Sequence, residues 1–334
     1  MGFCVVFCGS AKRVLDACGP ALAALACCGV IHGAQAQSVQ SEPAPQTQET
    51  ACTLQAGTVR SVVRVIDAET VLLDDNEEVR LIGALAPRSP DASPGAQPWP
   101  PEEDALAALR RLVLGQSVSL AYSGRGVDRY GRRLAHLFLD RDGERVWVQG
   151  ELLTGGHARA YGIPGSFVCM RELIAHERVA RRAGSGLWVN AAYAAQSASR
   201  PRELLHLRNA YEIVEGHVAH VVPTKARTYV NFGADWHSDF TAGIEARVLR
   251  ANPEWAKTLA TLAGQRVEVR GWIQYRNGPY IDIEDPSQIA AVEDELHQPT
   301  PPTGGPLMSS DRKPAPPAQK QERPEPKAPG AQDL

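Results

Sequence analysis

Few residues in this chain combine the types and spacing that chemistry needs, and they fall in two short runs. The first is Asp67-Ala68-Glu69-Thr70, followed by Arg80-Leu81-Ile82-Gly83-Ala84-Leu85-Ala86-Pro87-Arg88; the second is Asp128-Arg129-Tyr130-Gly131-Arg132. A guanidinium presents a rigid fork of donors that matches phosphate oxygens. Carboxylates are the hard oxygen ligands that calcium requires. Arginines among acidic residues therefore suit phosphoryl chemistry, although Arg80 and Arg132 read equally as structural ion-pair residues and Glu69 as a surface charge on a hairpin. Asp74, Asp75, Glu77 and Glu78 read as a solvated turn, and Asp128 as a turn former. His217 and His220 have an odd spacing that sends them to opposite faces of a strand, and no matching Cys or His pair accompanies them, so no zinc site is expected. No Gly-rich phosphate loop, Ser/His/Asp set or Cys/His set stands out.

These runs must be held by a mostly β scaffold. Alternation of Val with polar residues predicts a strand over Thr58–Ile66, and Thr70–Leu73, a turn at Asp74-Asp75-Asn76 and Glu77–Ile82 follow as a hairpin. Ala105, Leu106, Leu109, Leu112 and Val113 recur at helical spacing, so a helix is expected over Pro100–Leu114, with Glu102, Glu103 and Asp104 in its favoured first turn. Further strands are expected over Ser117–Tyr122, Leu134–Leu139 and Arg145–Val148, a short helix over Val148–Leu153, and a last helix from a Ser166 N-cap to Gly184. Arg178, Arg181 and Arg182 read as the solvated end of that helix. After a break at Gln196–Arg202, strands are expected over Gly216–Val222, Thr228–Phe232, Phe240–Leu249, Arg266–Ile273 and Tyr280–Ile283, with a helix over Asn252–Leu262. Five strands with a helix after the third is the order of an OB-fold. The fold class is α+β, mainly β: a small five-stranded barrel with three helices, then a second OB-like unit.

The motifs resemble the staphylococcal nuclease family. Val65-Ile66-Asp67-Ala68-Glu69-Thr70-Val71 is similar to its Asp-Gly-Asp-Thr strand, Arg80 to Arg88 to its Arg-Leu…Asp-Thr-Pro-Glu run, Asp128 to Arg132 to its Asp-x-Tyr-Gly-Arg segment, and Gly186-Leu187-Trp188 to its closing motif. The resemblance covers about residues 58–188. It implies a nuclease-like OB-type barrel, with Arg80 and Arg132 as phosphate-binding arginines and Tyr161 near the nucleotide-pocket tyrosines. It also implies that Glu69 stands where the family has its first metal aspartate. Leu85 stands at the second metal aspartate and Arg88 at the glutamate that orients water. Two expected acidic residues are thus replaced, one of them by a cation. The resemblance therefore implies a degenerate site that keeps phosphate recognition with little or no hydrolysis. No cofactor is expected, and calcium only if another carboxylate completes the site. The alternatives are an active metal-dependent nuclease with an altered site, or a protein-binding scaffold of the cell envelope acting through the OB-like unit and the tail.

Composition bounds these readings. The chain has 334 residues, 43% hydrophobic and 22% charged, with a formal net charge of −3, which is not the basic balance of a general nucleic-acid binder. Lys12 and Arg13, the apolar Gly19–Ile31 and the small residues Ala34-Gln35-Ala36 read as a signal peptide over 1–36, or as a short membrane anchor. Export to the periplasm or medium is expected, with no integral membrane segment in the mature chain. Residues 37–51 read as a linker, 52–192 as the nuclease-like domain, 208–292 as the OB-like domain and 296–334 as a disordered Pro-rich tail. Five of the seven cysteines leave with the leader, so Cys52 and Cys169 remain, as one disulfide or as two buried thiols. Tyr229, Phe232, Trp236, Phe240, Tyr275 and Tyr280 read mostly as core, or as rings on which bases stack.

Overall fold

The computed structural model describes residues 52–90, 93, 97–292 and 307–309. The segments expected as leader and linker, 1–36 and 37–51, lie outside these, as does most of the segment expected as a tail. In the first region the elements are β1 (Thr53–Asp67), β2 (Thr70–Leu73), β3 (Glu78–Leu81), β4 (Gly83–Leu85), α1 (Pro100–Val113), β5 (Ser117–Tyr122), β6 (Arg133–Arg141), β7 (Glu144–Trp147), α2 (Val148–Thr154), β8 (Arg159–Tyr161) and α3 (Met170–Ala183). In the second they are β9 (Gln196–Ser197), α4 (Pro201–His206), β10 (Tyr211–His217), β11 (His220–Pro223), β12 (Arg227–Asn231), β13 (Thr241–Glu245), α5 (Ala246–Ala251), α6 (Pro253–Thr258), β14 (Arg266–Trp272), β15 (Gln274–Tyr275), β16 (Pro279–Ile283) and β17 (Ile289–Ala291).

The long strand β1 makes the barrel. Its C-terminal half pairs with β2 and its N-terminal half with β5. Register shifts between Ala56 and Val59, and again after Val62 and Val65, bend it far enough to serve both neighbours. β2 continues to β3, β3 runs parallel to β6, and β6 returns to β5, so five strands form a closed OB-type ring. Inside lie Val62, Val71, Leu73, Val79, Leu120 and Leu137, with Leu109 and Val113 of α1 and Leu173 of α3 packed on them. Each such side chain, fully buried, contributes about 1.5–3 kcal/mol. Gly156 and Gly186 meet backbone to backbone: a Cβ on either would run into the other's segment. Leu187 N donates to Gly156 O at 2.8 Å and the Leu187 side chain is buried, which gives the Gly186-Leu187-Trp188 run its physical purpose.

Cys52 and Cys169 are joined as a disulfide with Cα atoms 4.8 Å apart. The bridge bears on a helix boundary. Cys169 has a left-handed backbone (φ 68°), so α3 starts at Met170 and not at the expected Ser166 N-cap. The Ser166 hydroxyl instead hydrogen-bonds Ser123.

The second region packs its own core of Val214, Val230, Ala242, Ile244, Val267 and Ile281. Its strands form two sheets, β17-β14-β10-β9 and β11-β12-β13-β16-β15. Three expectations are corrected. The strand expected over Gly216–Val222 is the end of β10 and the start of β11, because the chain turns at buried Val218 from one sheet to the other. The strand expected over Phe240–Leu249 stops at Glu245, whose partner Arg227 begins β12; beyond that pairing the chain coils into α5. His217 and His220 therefore lie on different strands of different sheets. In the tail, Leu307–Ser309 run parallel to Thr53–Gln55, where the main chain of β1 offers hydrogen bonds; this short stretch departs from the disorder expected of the tail.

The two regions belong to one compact unit and meet along α3. Arg270 of β14, 1% exposed, lies against the fully buried Glu177 of α3, with Nη2 3.0 Å and Nη1 3.3 Å from its two oxygens. Glu177 also accepts from Ala160 N at 2.6 Å. Glu268 bonds to Arg270 and, at 2.5 Å, to Arg181. Burial opposes ionisation of Glu268, but Arg270 and Arg181 hold its pKa down at about 2. Arg181 is therefore a seam residue and not, as expected, part of a solvated helix end. A buried pair is costly to break from one side. Arg270→Met, which takes the guanidinium from the fully buried Glu177 and leaves Glu268 to Arg181 alone, is expected to lose about 3–5 kcal/mol in a urea denaturation; a loss below about 1 kcal/mol would show that the seam carries no such weight.

Glu212 on β10 is also buried. Burial pushes its pKa from 4.5 up to about 7, and Arg159, 3.9 Å away, offsets this only in part. The folded state thus holds a proton that the unfolded chain releases at lower pH, and this contribution to stability is lost as pH rises from 4.5 through about 7. Glu212→Gln is expected to flatten that fall between pH 5 and pH 8, as read from urea midpoints; an unchanged slope would assign the pH dependence elsewhere.

Candidate functional site

The site grows from the start of β2. Asp67 Oδ1 accepts from Glu69 N at 2.7 Å, making a tight turn that tips Glu69 inward. The residue expected as a possible surface charge is only 2% exposed. A carboxylate taken out of water needs compensation, and here every partner is present. Ala86 N donates to Oε1 at 2.8 Å, while Oε2 meets Arg80 Nη2 at 2.7 Å and Arg88 Nη2 at 2.9 Å. Arg80 comes from β3, where it faces Thr70 across the ladder. Ala86 and Arg88 come from the chain leaving β4, which β8 holds in place through the pairs Gly83–Tyr161, Ala84–Ala160 and Leu85–Arg159.

Arg132 reaches the same corner from the loop before β6. Asp128 accepts from Tyr130 N and Arg132 N through Oδ1 and from Arg132 Nε through Oδ2. The turn former is thus also the residue that orients the guanidinium. Burial raises the Asp128 pKa, but the bonds from Arg132 outweigh it and leave the group below the ordinary carboxylate value. Arg132 Nη1 then donates to Thr70 Oγ1 at 3.2 Å. Thr70 therefore links the two arginines, facing Arg80 along the backbone and holding Arg132 through its hydroxyl. Tyr130, 68% exposed, lies beneath the guanidinium groups of Arg129 and Arg132 at 4.8 and 5.4 Å.

Of the residues singled out in the sequence, Glu69, Arg80, Arg88 and Arg132 come together. Leu85 is buried and offers no oxygen from its side chain. Tyr161 lies elsewhere, in the seam: its ring is edge-on to Tyr211 and Trp272, and its hydroxyl accepts from Trp272 Nε1 at 3.3 Å. Thr70 and Tyr130 were not foreseen as site residues, although both lie inside the motifs that identified their neighbours. Among the described residues no group of three His, Cys, Asp or Glu side chains converges as a metal-ligand set.

The two arginines on Glu69 differ in exposure: the Arg80 side chain is 18% exposed and that of Arg88 61%. Exposed pairs contribute about 0–1 kcal/mol and buried ones far more when one partner is removed. Arg88→Ala is expected to lower stability by less than about 1 kcal/mol, and Arg80→Ala by on the order of 3 kcal/mol. Comparison of the two urea midpoints checks this ranking; equal losses would contradict it.

Residues 78–190 match the family model described as staphylococcal nuclease homologue. The chain is 26% identical over 132 residues to a thermonuclease of Staphylococcus hyicus, covering 39% of this chain and 75% of that protein. It is 35% identical over 106 residues to a thermonuclease of Staphylococcus intermedius, covering 31% of this chain and 60% of that relative. The family-model match begins at Glu78, so Glu69 and Thr70 precede it, although β2 is bonded directly into the matched sheet.

Proposed function

We propose that this chain, whose residues 78–190 form a staphylococcal nuclease family domain, binds nucleic acid or another phosphate-bearing ligand through Arg80, Arg88 and Arg132 with little or no hydrolysis. The observation that carries this reading is the state of the Glu69 carboxylate. Both of its oxygens are engaged, one by a backbone N–H and the other by two guanidinium groups. A calcium ion needs several hard oxygens, and to use this one it would have to displace two cations. Leu85 supplies no second carboxylate, and Arg88 adds positive charge at the place where the resemblance implies the water-orienting glutamate. The residues present do not fit calcium.

They do suit a phosphate. Arg80 engages Glu69 through Nη2 alone among the described residues, which leaves its other N–H groups for an incoming anion. Arg88 is mostly exposed, so its guanidinium reaches solvent at the mouth of this corner. Pre-placed guanidinium groups bind phosphoryl oxygens as a fork. Export of this binding protein is part of the proposal. It is supported by the leader-like residues 1–36 and by the Cys52–Cys169 disulfide, a bond that persists in oxidising compartments. A mature N-terminus at Gln37, read by mass measurement of the secreted or periplasmic protein, is the corresponding check.

The test is a pair of assays on the mature chain with short DNA and RNA oligonucleotides. Binding is expected to weaken about tenfold or more in an Arg80→Lys, Arg132→Lys variant, which keeps charge but loses the fork. No cleavage is expected with calcium, other divalent ions or chelator. Metal-dependent cleavage that the same variant abolishes would overturn the binding reading in favour of an active nuclease with an altered site.

A further inference from the structure

The outer face of the β11-β12-β13-β16-β15 sheet departs from the solvated face that alternation leads one to expect. Val230, Ala242 and Ile281 point into the core. Their sequence neighbours Tyr229, Asn231, Thr241 and Tyr280 line a cavity of about 330 Å³ on the opposite side. Ladder register brings these four together: Asn231 faces Thr241, which faces Tyr280, and Tyr229 faces Gly243.

The floor is built, not incidental. A Cβ at position 243 would collide with the Tyr280 hydroxyl, so glycine there lets the tyrosine lie across the strand. Arg227 Nη1 then donates to that hydroxyl at 2.9 Å, and the hydroxyl donates to Asp282 Oδ1 at 3.1 Å. Although only 1% exposed, Tyr280 thus presents a fixed ring to the cavity. Thr241 Oγ1 donates to Asn231 Oδ1 at 3.1 Å, which leaves the Asn231 amide N–H groups without a protein acceptor among the described residues.

Loops complete the walls. Trp236, 54% exposed, contributes an indole. The guanidinium of Arg276 lies 4.7 Å over the Tyr280 ring and, among the described residues, is the one charged side chain lining the cavity, with no carboxylate there. Aromatic walls, amide and hydroxyl groups at the edge and a single cation specify a ligand: rings stack, amides read polar ring edges, and Arg276 meets an anion. We propose that this cavity binds a planar aromatic ring with polar edges that carries an anionic group, such as a nucleotide or an aromatic acid. The site shares no residue with the Arg80–Glu69–Arg132 cluster, so it stands or falls separately from that reading.

The experiment is calorimetric titration of the full chain carrying Arg80→Lys and Arg132→Lys, which weakens phosphate binding at the distant cluster, with adenosine 5′-monophosphate, with indole-3-acetate and with ribose 5-phosphate, which keeps an anion and lacks the ring. Trp236 and Arg276 are exposed, so Trp236→Ala and Arg276→Ala, each added in that background, leave the core intact. At least one ring-bearing probe is expected to bind with one-to-one stoichiometry, about tenfold more weakly with Trp236→Ala and several-fold more weakly with Arg276→Ala. Preference for the monophosphate assigns a nucleotide, and preference for indole-3-acetate an aromatic acid. The proposal is overturned if neither ring-bearing probe binds, if both variants bind as the parent does, or if ribose 5-phosphate binds as tightly as the ring-bearing probes.

Discussion

The carboxylate of Glu177 is the point through which the structure is tied together. It is fully buried, and its two oxygens serve Arg270 from the second region and the backbone of Ala160 in β8. β8 is the only strand that pairs with β4 among the described residues, and the chain leaving β4 carries Ala86 and Arg88 onto Glu69. A continuous set of contacts therefore runs from the seam, through β8 and β4, to the arginine cluster. Such a buried pair is a poor source of net stability but a strict one, because each charge is tolerable only when the other is in place.

The same logic governs the site. Glu69 is buried at a corner where solvent does not compensate it, so counter-charge must come from the protein or from an ion. Arg80 and Arg88 provide it, and Leu85 leaves no second carboxylate that would call for more. The corner thus supplies its own cations, two guanidinium groups on one carboxylate oxygen.

Much of this was legible from local pattern. The alternation of Thr58–Ile66 in β1, the helical spacing of Leu109 and Val113, and the turn at Asp128 each report a neighbourhood that the chain builds from nearby residues, and the structure has them at those places. What escaped were features decided by distant partners. Ser166 has the chemistry of a helix cap, but a disulfide-bonded cysteine in a left-handed conformation sets the boundary three residues later. Val248 is apolar and β-branched like the strand before it, yet β12 begins only opposite Glu245, so the chain coils. Arg181 looked like an ordinary solvated helix end, because nothing nearby announces Glu268, 87 residues further on. In the site, the arginines were found by motif, whereas the burial of Glu69 depends on where β4 delivers Ala86 and Arg88.

The two β systems also face self-association differently. Ring closure through β1 leaves the barrel almost no open margin from which another chain could extend a sheet. The sheets of the second region cannot close in that way, and their outermost strands are brief: two residues in β9, three in β17, two in β15, and four in β11, which ends in Pro223. Short margins and a terminal proline offer a poor template for intermolecular pairing. Among the described residues the second region therefore offers no long open edge for backbone pairing.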